Sequence, residues 1–504
     1  MFKKWRSIKL SDKVLSELKT IFSDNNVSNS IGILKSYESD ASLHLVSSKL
    51  PSYVVWPENI KQIQQLISLA DKNSFSLVPT SSEPPRFYGT SIARKKNSII
   101  VDFTKMKKIL KMDKRNRVTL IESGVNFEEY IKECKKAGLR PHIPLYPYAK
   151  KSVVGASLDR EPVTIPKYHW DISDPLLCTE LVFGTGNMFR TGAAAGPGNL
   201  DEQREAGGAQ KNPMGPSQFS PFRIVQGSQG SIGLVTWASL KVDRAIDSRK
   251  NFFAISNNLD TNFDFIYEIL KYRLGDELFL VNNLNLAILV GDDKERINQL
   301  KEKLPKWIVI ISVTGIGELA SEKIDWQKGD IHEYSKTFEA NLTSELADIS
   351  DNDISRVLEE AAPQPWRLKY LGGCDNIFFI TTLDKTKDFK KIMFDVAREE
   401  GFNESNIGVY IQPMIQGCNV HCEFDLYYDP KNDKENRLAK KTFLRASEAL
   451  IDSGAFFNRP YGIWADMIYP KTQDLVIESM KKVKDIFDPN NILCPGVLCF
   501  KEDK

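Results

Sequence analysis

The sequence predicts a mixed α/β or α+β protein of more than one domain, and three observations carry that expectation. Short β-branched apolar runs alternate with segments of helical period through the first half of the chain. A stretch dense in glycine and proline, residues 192–221, breaks that alternation. The strand and helix patterns then resume to the C-terminus, and 504 residues leave room for two to four domains at roughly 100–200 residues each.

In order, YVVW (53–56) and SIIVDF (98–103) have the β-branched character of strands. Between them Asn59–Asn73 places Ile60, Ile63, Ile67 and Ala70 on one helical face. A second pair follows, strand Arg117–Ile121 and helix Phe127–Ala137. The 192–221 stretch is too polar and interrupted for regular elements, and a loop of that length in a compact domain is functional or disordered. Ser231–Val242 is a clean strand pattern. Within Asn251–Val313 the runs LFLVNN, LAILVGD and WIVIISVTG read as strands of a second α+β unit. Glu318–Glu360 is charged and helical, Val409–Tyr428 strand-like, and Lys440–Ser453 helical.

Composition narrows the function. The 68 Lys+Arg against 66 Asp+Glu leave a net charge of +2, which gives no electrostatic footprint for nucleic acid or an anionic membrane. Seven scattered cysteines form no disulfide framework, and the absence of a CxxC pair argues against a structural zinc or an iron–sulfur cluster. The basic opening MFKKWRSIKLSDK lacks the apolar core of a secretory signal, and the longest apolar runs, such as Trp307–Val313, are far short of a transmembrane segment. These readings predict a soluble, cytoplasmic protein.

Several chemistries have no motif here. GxGxxG, GxxxxGK[ST], HExxH and GxSxG are all missing, and no two of the five histidines (44, 142, 169, 332, 421) share a metal-ligand spacing. His421 beside Cys418 and Cys422 suggests either a soft-metal site or strand core, and the strand pattern favours core, so no metal is expected. Glycines concentrate instead at Gly89, in PTSSEPPRFYGTS (79–91), and at Gly227, Gly230 and Gly233, in VQGSQGSIGLVT. Such glycines make either tight turns or a backbone cradle for a pyrophosphate.

Four segments, taken together, resemble the FAD-linked oxidoreductases of the vanillyl-alcohol oxidase type, nearest the branch holding vanillyl-alcohol oxidase and the p-cresol methylhydroxylase flavoprotein. They are Pro79 to Tyr88-Gly89, the turn ESGVNFEEY (122–130), the run Asp159-Arg160, Pro166 and Arg190-Thr191-Gly192, and the ending FDPNNILCPG (487–496). HCEFDLYYDP (421–430) and GAFFNRPYG (454–462) follow in the family's order. The resemblance implies an FAD-binding domain built from residues 1–242 and 454–504, with an α+β cap domain, 243–453, inserted. FAD, held without a covalent link, would lie on Pro79, Ser81, Ser82, Arg86, Phe87, Gly89 and Thr90. Its other contacts would be Ser152, Gly155, Ser157, Leu158 and Arg160, then Gly230, Gly233, Val235 and Cys494. The chain departs from the family loop where Glu83 and Phe87 replace glycines, and a carboxylate facing a pyrophosphate would repel it.

The resemblance also places Tyr88 and Arg459 on a substrate's phenolic oxygen, with Asn458 where the family has a second tyrosine. Holding a phenol of pKa about 10 as phenolate requires a fixed cation and hydroxyl donors. His169 or Asp171 falls where the family keeps an acid–base group, and Tyr461 and Trp464 either face the site or pack a turn. The implied activity is hydride abstraction from an activated carbon, foremost the benzylic carbon of a para-substituted phenol. A 2-hydroxy acid dehydrogenase and a flavoprotein subunit of a redox complex are the alternatives, although the H-x-G-D-G-N-x-H segment of the related hydroxy acid enzymes is missing. The implied partners are a small-molecule substrate and an electron acceptor (oxygen, a cytochrome or another redox protein), in a homodimer or a redox-complex subunit.

Overall fold

The computed structural model describes residues 13–41, 47–169, 171, 173–206, 208, 210–215 and 220–500. The basic opening segment up to residue 12 and His44 lie outside the described residues. The fold is mixed helix and sheet, organised around three sheets. The first is four-stranded, in the order Val27–Ser28, Tyr53–Val55, Ser98–Asp102, Ser76–Thr80, and its last three strands are parallel. Parallel neighbours need a crossover, and helix Ile60–Asn73 supplies one, burying Ile63, Leu66, Ile67 and Ala70 against the sheet. Asn59 caps that helix by accepting from the Gln62 N–H.

The second sheet has six strands, with the long Gly233–Arg244 at its centre between Val118–Glu122 and Leu176–Phe183. The third is a seven-stranded antiparallel sheet drawn from residues 248–428. Strand Asn419–Tyr428 lies in it between Gly373–Thr381 and Ile407–Met414. Both of its faces are buried, by helices Leu259–Lys271, Ala320–Thr337, Thr386–Glu400 and Asp433–Asp452 on one side and Asn283–Val290 on the other.

Most expected elements occur within a few residues of their sequence bounds, with one change of type. LAILVGD belongs to helix Asn283–Val290, not to a strand. A continuous apolar run is compatible with either state. Here the Asn282 side chain caps the helix by accepting from the Asn285 N–H, and all seven residues from Leu284 to Val290 are buried, so no polar face marks the period. The 192–221 stretch holds two short pieces, a 3-10 turn Gly192–Ala195 and helix Leu200–Glu205 with an Asn199 capping box.

The C-terminal segment closes the first sheet. Leu77 N–H donates to the Ile492 carbonyl at 2.7 Å and Cys494 N–H to the Leu77 carbonyl at 2.9 Å, which sets the terminus beside Pro79. Asp488 fixes that segment by accepting from the Ile492 and Leu493 N–H groups at 3.0 and 2.8 Å, while pairing with the buried Lys484. Among the described residues no helix is long and apolar enough to cross a membrane.

Candidate active site

Two adjoining cavities meet where the first two sheets face the third. The first, about 840 Å³, is a groove lined by Pro79, Ser81, Gly155, Leu158, Gly230, Gly233 and Val235, with Thr80 and Gln229. The second, about 1170 Å³, is walled by Phe87, Tyr88, Tyr146, Tyr148, Trp366 and Tyr410 and holds Arg367, Asn376, Glu423 and Arg459. Ser82, Thr90, Ser91, Lys151 and Asp159 line both, so the two are continuous.

The groove depends on glycine where no side chain fits. Gly230 has φ +75°, and a Cβ there would lie 2.5 Å from Pro79 and 3.2 Å from the Cys494 sulfur. Two residues that line it each have a buried oxygen without a partner, Thr80 Oγ1 and Gln229 Oε1, whereas buried polar groups are ordinarily hydrogen-bonded. A ligand with both donors and acceptors therefore suits the groove.

Other expected groove residues serve its frame. Ser152 N–H donates to Ser82 Oγ at 3.0 Å, Ser152 Oγ accepts from the Gly155 N–H, and Ser157 Oγ donates to the Val153 carbonyl. Gly89 N–H donates to Asp40 at 2.6 Å. The Arg86 guanidinium, expected on the cofactor, donates to the Ser82 and Ser36 carbonyls and stacks over Tyr37. Arg160 donates to the Gln226 carbonyl and lines a separate cleft with Arg223. Cys494 is buried behind Gly230, and burial pushes its thiol up to about 12. Glu83 is exposed and lines neither cavity, so its carboxylate faces away from the groove.

In the second cavity Tyr88 adopts φ +67°, a conformation that costs a bulky residue energy and is held by its surroundings. Its ring stacks on Tyr461 (centroids 4.9 Å, 9° between planes) and meets Phe378 edge-on. Arg459, 6% exposed, lies over the Phe378 ring at 4.0 Å. It forms no salt bridge among the described residues, and its Nε has no hydrogen-bond partner. Asp159 is hydrogen-bonded to Tyr461 and faces Arg459; burial, reinforced by Glu161, raises its carboxyl to about 6. Burial also raises the Tyr88 hydroxyl, which stays protonated.

His169 and Asp171 are not brought to this site. His169 is buried against His142, and burial lowers its pKa to about 3, so it stays neutral. Asp171 pairs with Arg223. Neither lines either cavity, and Asn458, next to Arg459, does not line them either. Trp464 is buried in the core and donates to Ser447.

Sequence reasoning missed a charged cluster at the cavity's far wall. Arg367 Nε donates to Glu423 at 2.7 Å and Asp425 at 3.0 Å, and His421 Nε2 donates to Glu423 at 2.8 Å. Arg367 and His421 hold the Glu423 carboxyl far below its usual range. Burial and the neighbouring Glu423 raise Asp425, so the single guanidinium faces one ionised carboxylate and one protonated one. Cys422 points from the opposite face of the strand into the apolar core, so it shares no site with His421. Among the described residues no group of three His, Cys, Asp or Glu side chains is placed to hold a metal ion.

Residues 51–192, which include the glycine-bearing loop and the Gly155 turn, match the family profile described as FAD binding domain. The glycolate oxidase subunit GlcD of Bacillus subtilis is 23% identical over 90% of both chains. The flavoprotein subunit of 4-cresol dehydrogenase [hydroxylating] from Pseudomonas putida is 21% identical over 96% of this chain and 95% of that protein. Substrate-bound p-cresol methylhydroxylase superposes over 98% of both chains with a TM-score of 0.81 at 17% identity. Residues 51–192 thus carry an FAD-binding domain, and the whole chain has the fold of the p-cresol methylhydroxylase flavoprotein. The 4-ethylphenol oxidase of Gulosibacter chungangensis shares this fold, with a TM-score of 0.82 at 15% identity over 98% of this chain and 97% of that one. The FAD-binding domain match, with oxidase and dehydrogenase relatives aligned along the chain, makes it an FAD-dependent oxidoreductase. The unpartnered Thr80 and Gln229 oxygens and the glycine-lined groove fit that cofactor.

A buried guanidinium that makes no salt bridge, with a carboxylate only facing it, destabilises the ligand-free protein. Arg459→Met is therefore expected to leave thermal stability unchanged or higher. A loss above ~2 kcal/mol in denaturant unfolding would make Arg459 a structural residue.

Proposed function

We propose that this oxidoreductase acts on a para-substituted phenol at its benzylic carbon. The observation that carries this reading is Arg459, a buried cation that Asp159 faces but that forms no salt bridge among the described residues, in a cavity walled by aromatic rings. A buried charge held without a salt bridge costs free energy, which an anionic oxygen brought by the substrate offsets. Phe87, Tyr148 and Trp366 suit a flat ring, and Tyr88 offers that oxygen a second donor. A cation and a hydroxyl lower a phenol's pKa from about 10, and the charge gained by the ring weakens the benzylic C–H bond.

Asp159, beside Arg459 and Tyr461 on the wall common to both cavities, takes the phenolic proton. When bound in the groove, FAD supplies the hydride acceptor. Loss of that proton and of a hydride leaves the substrate as a quinone methide. The electrons then pass to oxygen, a cytochrome or another redox protein. Within this reading, residues 1–242 with 454–504 hold the cofactor without a covalent bond, and 243–453 form the cap over the substrate.

A 2-hydroxy acid is the second reading, since its carboxylate would also pair with Arg459 and GlcD is named for glycolate.

Anaerobic flavin bleaching separates the two. Para-alkylphenols are expected to bleach the protein and glycolate or D-lactate to leave it coloured; the reverse would establish the hydroxy acid reading. Because Asp159 works as its carboxylate and titrates at about 6, kcat/KM for the phenol rises with pH through about 6. Asp159→Asn should remove that inflection, and an unchanged profile would exclude Asp159 as the base.

A further inference from the structure

Asn376, 8% exposed on strand Gly373–Thr381, joins the missed charged cluster to Tyr88. Its Nδ2 lies 2.9 Å from the Tyr88 hydroxyl oxygen and 3.3 Å from Glu423 Oε1. An amide nitrogen only donates, and an ionised carboxylate only accepts. Glu423 is kept ionised by Arg367 and His421, so it fixes which way the Asn376 amide faces. The Tyr88 oxygen therefore accepts from Asn376, and its own hydrogen must point elsewhere. Tyr461 covers one face of the Tyr88 ring and Phe378 meets it edge-on, and among the described residues the Tyr88 hydroxyl has no hydrogen bond other than the one from Asn376. The open direction is the cavity.

We infer that Asn376 is a positioning residue: by donating to Tyr88 under the constraint of Glu423, it turns the Tyr88 hydroxyl hydrogen into the cavity as a standing donor to the substrate's anionic oxygen. This inference rests on the phenol reading. The Tyr88 hydroxyl is held protonated by burial and by the charge on Glu423, so the donor is present at neutral pH. An aspartate at 376 would reverse the bond. Its carboxyl oxygen nearest Tyr88 would accept, any proton it kept would go to Glu423, and the Tyr88 hydrogen would turn away from the cavity.

The test uses the FAD-loaded protein and 4-nitrophenol, which has no benzylic C–H bond and is yellow only as its phenolate. It is titrated at a pH below its own pKa, with flavin absorbance per protein as the check on folding. Native protein is expected to bind it as the yellow phenolate. Asn376→Asp should bind it about ten- to a hundredfold more weakly and without colour, as loss of a hydrogen bond to a charged group predicts. Asn376→Ala, which removes the donor without adding an acceptor, should fall between the two. It also stands in as the test if the aspartate variant does not load flavin. Unchanged affinity and colour in the variants would overturn the role of Asn376. Failure of the native protein to bind the probe as phenolate would overturn the phenol reading itself.

Discussion

The shape of the cofactor groove depends on one buried ion pair, Lys484 with Asp488. Asp488 accepts from the Ile492 and Leu493 N–H groups, and Lys484 donates to the Ser231 and Leu493 carbonyls. Three walls meet there: the C-terminal segment, the Gly230 loop through Ser231, and the Pro79 strand through the bonds between Leu77 and the terminus. Burying two charges is favourable only when their remaining hydrogen bonds are met, and here the backbone meets them. The pair thus ties residues far apart in sequence into one cradle, and Gly230 is the point where no Cβ can be admitted between Pro79 and Cys494.

The second cavity uses charge in the opposite way. Arg367 is matched by Glu423 and Asp425 and is structural in the sense that it fixes the far wall. Arg459, a few side chains away, forms no salt bridge among the described residues; it lies over the Phe378 ring and is faced by Asp159. On the proposed reading, the guanidinium without a salt bridge is the one that a ligand's anionic oxygen engages. The strained backbone at Tyr88 belongs to the same arrangement, because the Tyr461 stack and the Asn376 bond hold that residue where the loop alone would not.

The outline of the fold was legible in the sequence. The amphipathic helix over 60–73, the parallel strands beside it and the C-terminal motif each announce themselves by period or by motif. The type of the run 286–292 was not legible, since an entirely buried helix shows no polar face. Pro79, Gly155 and Gly230 are brought to one groove as their motifs implied, and Tyr88 and Arg459 to one cavity. The position where the resemblance implied an acid–base group, His169, is instead a histidine buried elsewhere, because spacing along an irregular segment does not fix where its side chains face. Glu423 and Asp425 alternate with Cys422, Phe424 and Leu426, the pattern of a strand with one wet face. Only the tertiary structure reveals that this polar face is buried over a cavity.

All of this depends on the groove holding FAD. The most direct measurement is the visible absorption spectrum of the purified protein before and after acid precipitation. The account predicts a flavin spectrum whose colour passes into the supernatant on acidification, as a noncovalent cofactor in an enclosed groove would. A colourless protein that takes up no added FAD would contradict it.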